Sequence, residues 1–208
     1  MSRLIAAAAS PAKESFEVLM ARVRACRVCA QHLPHGCRPV LQAHPDARLL
    51  IVSQAPGRKV HETGIPFNDK SGDKLRDWLG IDKETFYDAH RVAIVPMGFC
   101  YPGKGKSGDL PPRPECAPLW HPQLLPRLAN VEMTLAIGGH AIRGMLGDRA
   151  RASLTETCEA WRSYLRHGML PLPHPSPRNT AWLMYHPWFE AEVLPALRHR
   201  VRRILRDT

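Results

Sequence analysis

Four short apolar runs constrain this chain most: Leu49-Leu50-Ile51-Val52, Val92-Ala93-Ile94-Val95, Met133-Thr134-Leu135-Ala136-Ile137 and Met169-Leu170-Pro171-Leu172. None alternates polar with apolar residues, as a strand with one wet face would. Such runs suit strands covered on both sides, as in a parallel sheet between helices. Helical patterns lie between them, at 71–80 (Leu75, Trp78, Leu79), 117–129 and 139–147. Two more flank them. One spans 11–25, opens on Ser10-Pro11 as cap and first-turn proline, and carries Phe16, Leu19, Met20 and Val23. The other runs from Pro187 onward, with Leu194, Leu197, Val201 and Leu205 on one side and a kink expected at Pro195. Strands alternating with helices predict an α/β fold, a three-layer α/β/α arrangement around a central, mainly parallel four-stranded sheet. No repeat or compositional break divides the 208 residues, so 1–208 reads as a single domain.

Open sheets of this kind bind ligands beyond the carboxyl ends of their strands. The loops there are unusual in composition. The first run leads into Ser53-Gln54-Ala55-Pro56-Gly57, the second into Pro96-Met97-Gly98-Phe99-Cys100, the third into Gly138-Gly139-His140 and the fourth into Pro173-His174-Pro175-Ser176-Pro177. Phe67, in the polar stretch between Pro66 and Asn68, reads either as a stacking platform for a flat ring or as a loop anchor packed into the core. His174 is stiffened by prolines on both sides, which suits a hydrogen bond to a developing anion. His140 reads as a helix-start residue. Residues 101–115 hold three glycines and four prolines without periodicity and read as a long loop. Its Gly103-Lys104-Gly105-Lys106-Ser107-Gly108 lacks the glycine and the strand–helix context of a P-loop.

Charge narrows the partners. Lys and Arg number 29 against 19 Asp and Glu, a net +10, which favours a polyanion: nucleic acid first, a membrane surface second. No apolar run approaches a membrane span, and no export signal is read at the N-terminus, so the expectation is a cytoplasmic protein without membrane association. Six cysteines are too few for a disulfide scaffold in a chain this long. Cys26-x2-Cys29 is half of a metal or cluster site. Cys100 and Cys116, separated by 15 residues, supply the other half. Four thiolates hold a [4Fe–4S] cluster or a tetrahedral zinc, and spacing leaves both open. Cys37 and Cys158 fall outside this set.

These residues resemble the uracil-DNA glycosylase superfamily, and within it the iron–sulfur family 4, with features of family 5 and of the single-strand-selective branch. The first motif there has the form G-E-G-P-G…T-G-x-P-F-x-G-x-x-G. Ser53-Gln54-Ala55-Pro56-Gly57 and Thr63-Gly64-Ile65-Pro66-Phe67 fall in register with it, ending at Gly72. The four cysteines match as well, and His174-Pro175-Ser176-Pro177-Arg178-Asn179 resembles the H-P-S-P-x-N form of the second motif. Three positions depart: Gln54 replaces the acidic residue of family 4, Ala55 stands at the third motif position as in family 5, and Pro96 takes the place of the base-reading Asn.

The resemblance implies a monomeric glycosylase acting on a damaged base flipped from DNA. His174 would donate to the leaving base, and Phe67 would stack on it. Gln54, Ala55, Pro56 and Gly57 would contact its edge, with Ser176 and Arg178 against the strand. A carboxylate must orient the attacking water. Asp69 and Glu62 lie in the right loop, and Asp69 is preferred because it closely follows Phe67. Cys26, Cys29, Cys100 and Cys116 would hold the [4Fe–4S] cluster, with zinc the other occupant. The alternative is a non-catalytic or repurposed DNA-binding relative that keeps the cluster.

Overall fold

A computed structural model describes residues 14–206. The strands are β1 (Leu49–Val52), β2 (Val92–Ile94), β3 (Lys104–Gly105), β4 (Gly108–Asp109), β5 (Met133–Ile137) and β6 (Met169–Leu172). The α-helices are α1 (Phe16–Arg24), α2 (Arg58–Thr63), α3 (Lys70–Leu79), α4 (Lys83–Tyr87), α5 (Cys116–Leu124), α6 (Gly138–Leu146), α7 (Leu154–Glu159), α8 (Trp161–Leu165), α9 (Thr180–Tyr185) and α10 (Leu194–Arg206).

All four apolar runs are strands of one sheet, in the order β2-β1-β5-β6. Every pairing in it is parallel, with Leu49 opposite both Val92 and Met133 and Thr134 opposite Met169. The period-2 geometry of a strand sends neighbours to opposite faces. Leu49 and Ile51 thus join one core with Leu75, Trp78, Phe86, Phe189, Leu197 and Val201, from α3, α4 and the C-terminal helix. Leu50 and Val52 join a second core with Leu19, Val23, Trp120, Leu124 and Ile142, from α1, α5 and α6. Both faces are dry, so the runs cannot alternate, and the expected three layers follow.

The margins of the sheet are managed. Pro171 lies in β6, the edge strand, where a residue without an N–H is tolerated. At the other margin Gln42 bridges to Ile94 in antiparallel fashion, its N–H donating to Ile94 O at 2.9 Å and its carbonyl accepting from Ile94 N at 2.7 Å.

Several expectations need correction. Ser10-Pro11 lies outside the described residues, and the first helix is capped by Ser15, whose Oγ accepts from Val18 N at 3.3 Å. The pattern at 117–129 stays α-helical only to Leu124, followed by a 3₁₀ turn over Leu125–Arg127 that contains Pro126. Residues 101–115 are not all loop, since Lys104 pairs with Asp109 and Gly105 with Gly108 in a two-stranded ribbon. The C-terminal helix begins with a π-helical stretch, Phe189–Val193. Pro195 follows this stretch directly, inside a continuous helix, so the irregular turn lies where a residue without an N–H interrupts the α-helical bonding.

Candidate active site

The loops leaving β1, β2 and β6 meet at the carboxyl end of the sheet, around a cavity of about 430 Å³. Backbone bonds join the first two: Met97 N donates to Ser53 O at 2.8 Å and Gly98 N to Gln54 O at 2.9 Å. Pro96 lines the cavity, and His121 Nε2 lies 2.9 Å from its carbonyl oxygen. Burial lowers the His121 pKa, so the neutral ring donates this bond.

Phe67 packs as a core anchor and also reaches the cavity wall. Its side chain is buried edge-to-face against Phe86, with ring centroids 6.1 Å apart, yet it also lines the cavity. Its φ of 53° is in the left-handed region, which a bulky residue rarely adopts. The turn is held through Phe67 O, which accepts from Tyr87 Oη at 3.4 Å and Arg76 Nη1 at 3.5 Å. Gly72 makes the turn feasible, because a Cβ there would sit 1.7 Å from Phe67 O. The glycine that ends the first motif therefore answers to a close backbone approach.

Asp69 lines the cavity and caps α3, with Oδ1 accepting from Gly72 N at 2.9 Å. Glu62 does not line it. That side chain is exposed on α2 and ion-paired at 2.8 Å to Arg58. The two acids suggested by the sequence are thus separated, and only Asp69 faces the cavity.

His174 lies half-buried in the lining. Asn179 Nδ2 donates to its carbonyl at 2.7 Å, and Ser176 Oγ accepts from Arg178 N at 3.3 Å, fixing the turn that follows. Gly138, at φ 80°, takes the left-handed conformation that favours glycine, and it lies beside His174, whose Cβ would be in ordinary contact at 3.6 Å with a Cβ placed there. Burial pushes the His174 pKa below the ordinary imidazole value, opposed in part by the charges of Asp69 and Asp109.

Gln54, Ala55, Pro56, Gly57, Ser176 and Arg178 all line the cavity as well. Two of them are already engaged with the 101–115 segment: Gln54 Nε2 donates to Leu110 O at 3.3 Å, and Arg178 Nη1 to Ser107 O at 3.0 Å. Sequence reasoning missed Asp109. It is carried into the lining by the ribbon, and no periodic signal in a Gly/Pro-rich segment marks a strand of two residues.

Cys26, Cys29, Cys100 and Cys116 line a second, smaller pocket with Trp120 and Phe99. Cys37, set aside on spacing, lines it too, whereas Cys158 is buried in the second core. None of the six is in a disulfide. Burial pushes Cys100 and Cys116 up to about 12, and raises Cys29 as well. Phe99 N donates to Cys116 Sγ at 3.3 Å. Buried sulfurs that resist ionising alone, with a backbone donor aimed at one of them, fit a cationic metal group. The described residues contain one set of three or more metal-type side chains whose ligand atoms all lie within 4.8 Å of one another, and it consists of His44, Asp46 and His90 rather than the cysteines.

The family model of the Uracil DNA glycosylase superfamily matches residues 41–198, from just before β1 into α10. The chain belongs to the uracil DNA glycosylase superfamily. A curated relative, the Type-4 uracil-DNA glycosylase of Thermotoga maritima, is 25% identical over 147 residues, covering 69% of this chain and 72% of the relative. The likeness to family 4 drawn from the motifs is thereby borne out.

Proposed function

We propose that this protein is a DNA-repair hydrolase that cuts the N-glycosidic bond of uracil flipped out of DNA, leaving an abasic site. The observation that carries this reading is the meeting of the first-motif loop, Phe67 and His174 around one cavity, in a chain of this superfamily. Bases must leave the helical stack before such chemistry, and a damaged or mismatched base leaves most readily.

In the bound state Phe67 stacks on the base, and the backbone of 54–57 contacts its edge. The C1′–N bond breaks with its electron pair leaving on the base. The neutral His174 ring donates a hydrogen bond to the anion that forms, an interaction that strengthens as charge develops. A water oxygen bonds to C1′. Its proton passes to the Asp69 carboxylate and on to solvent, and the base anion takes up a proton from solvent. Asp69 is held for this by its cap, which occupies one oxygen and leaves the other for water.

For the second pocket we favour a [4Fe–4S] cluster on Cys26, Cys29, Cys100 and Cys116. Tetrahedral zinc with Zn–S bonds near 2.3 Å needs sulfurs only about 3.8 Å apart. No three of the cysteines come within 4.8 Å of one another, a spread that suits a larger group. Such a group would tie both ends of the 101–115 segment to the turn after α1. The chain would act as a single-domain monomer in the cytoplasm, where thiolates stay reduced. Among the described residues no helix is long and apolar enough to cross a membrane.

The test is a panel of labelled oligonucleotides, each with one modified base, scored for alkali-labile abasic sites. Release of uracil is the expected outcome. Binding to every oligonucleotide with no cleavage of any would instead identify a non-catalytic relative.

A further inference from the structure

The cavity holds a second carboxylate that neither the motifs nor the mechanism above employs. Asp109 sits on β4, at the end of the ribbon that overhangs the first-motif loop. Its Oδ2 lies 3.5 Å from where a Cβ on Gly57 would be, and its Oδ1 is 3.4 Å from the hydroxyl of Tyr101, a side chain almost wholly buried. Burial and the neighbouring Asp109 charge raise the Tyr101 pKa, which keeps the phenol protonated and able to donate.

The ribbon is pinned from both motif loops. Arg178 reaches it from the second motif, through Ser107 O, and Gln54 from the first, through Leu110 O. Gly108 permits the former, because a Cβ there would collide with the Arg178 guanidinium at 2.1 Å. Asp109 is therefore delivered to the cavity by a clasped element. Asp69, Asp109 and His174 all line this cavity, and the charge of each acid acts on the His174 ring.

We propose that Asp109 is a second catalytic carboxylate of the glycosylase reaction, facing the sugar cation and the attacking water from the ribbon while Asp69 faces them from the cap of α3. This rests on the glycosylase reading of the site. The chemistry calls for it. Bond breaking leaves positive charge on the sugar, and fixed negative charge nearby stabilises the transition state more than the ground state. Ala55 offers none, and one oxygen of Asp69 is committed to Gly72 N. The balance is unchanged: either carboxylate accepts the water's proton and returns it to solvent.

The experiment is single-turnover cleavage of a uracil oligonucleotide at saturating enzyme, with the metal-loaded wild type, Asp109→Asn, Asp69→Asn and the double variant. Melting temperature and affinity for abasic-site DNA are measured beside the rates. Asp109→Asn keeps shape and removes charge on an exposed ribbon, so melting is expected to be unchanged. Its rate is expected to fall roughly 10²-fold, the low end for a positioned acid–base group. The double variant should be slower than either single one. A wild-type rate in Asp109→Asn, with tighter DNA binding, would show that Asp109 merely repels phosphate and would overturn the proposal while leaving the glycosylase reading intact. A wild type that releases no base from any oligonucleotide would overturn both.

Discussion

At the scale of single residues, His174 is the sharpest point of attack. Its alanine variant is expected to lose roughly 10²–10³-fold in single-turnover rate, the usual loss for one donor to a developing anion. Binding to abasic DNA should barely change, because the lost interaction belongs to the transition state. Full activity in a folded His174→Ala protein would remove this residue from the chemistry. The lowered His174 pKa also sets a pH profile. The ring stays neutral as pH falls through about 6.5, where a free imidazole would ionise. Cleavage should therefore hold level from pH 8 down past that range; an inflection near 6.5 would show the ring titrating as if exposed. The stability effect has a definite sign. The unfolded chain takes up the proton first, so the His174 contribution is full above the ordinary imidazole value and is lost as pH falls. Gly72 gives a prediction of another kind. Gly72→Ala must move Phe67 O out of a 1.7 Å contact, so a large drop in melting temperature and loss of cleavage should appear together.

At the scale of elements, the loop between Cys100 and Cys116 is the part that matters and the part least visible beforehand. Cys26→Ser should release iron and sulfide and, if the cysteines brace the ribbon, lower cleavage too. Cys37→Ser should leave iron and sulfide content at the wild-type value, although Cys37 lines the same pocket. Equal metal loss in both would redraw the ligand set. The reasons for what was and was not legible are physical. β1, β2, β5 and β6 were plain because burial on two faces forces unbroken apolar runs. α3 and α6 were plain because ten- and nine-residue helices span enough turns to show an apolar face. The helices α2, α4, α7, α8 and α9, at five or six residues, are too short for a period to stand out. The ribbon of β3 and β4 is shorter still, and with it Asp109 stayed hidden. The presence of His174 and Phe67 in the cavity wall was legible because prolines and a lone aromatic stand out in polar loops.

At the scale of the molecule, the +10 charge should make DNA binding fall steeply as salt is raised from low to physiological, through release of counterions. A flat response would argue against a phosphate-tracking surface. The basic residues do not contribute alike. Arg198 in α10 is spent on Asp77 O of α3 at 3.0 Å, whereas Arg58, Lys59, Lys104 and Lys106 are exposed on elements that border the cavity. Reversing charge at Lys104 and Lys106 should therefore weaken binding more than the same change at Arg198, measured at one salt concentration. The margins of the sheet bear on a different hazard. A bare strand edge is a template on which a stranger's strand can condense, and a repair enzyme has to survive in a crowded cell without seeding clumps. With Gln42 bridged to β2 and Pro171 interrupting β6, neither rim presents a complete row of donors and acceptors, which disfavours edge-to-edge pairing of one molecule's sheet with another's.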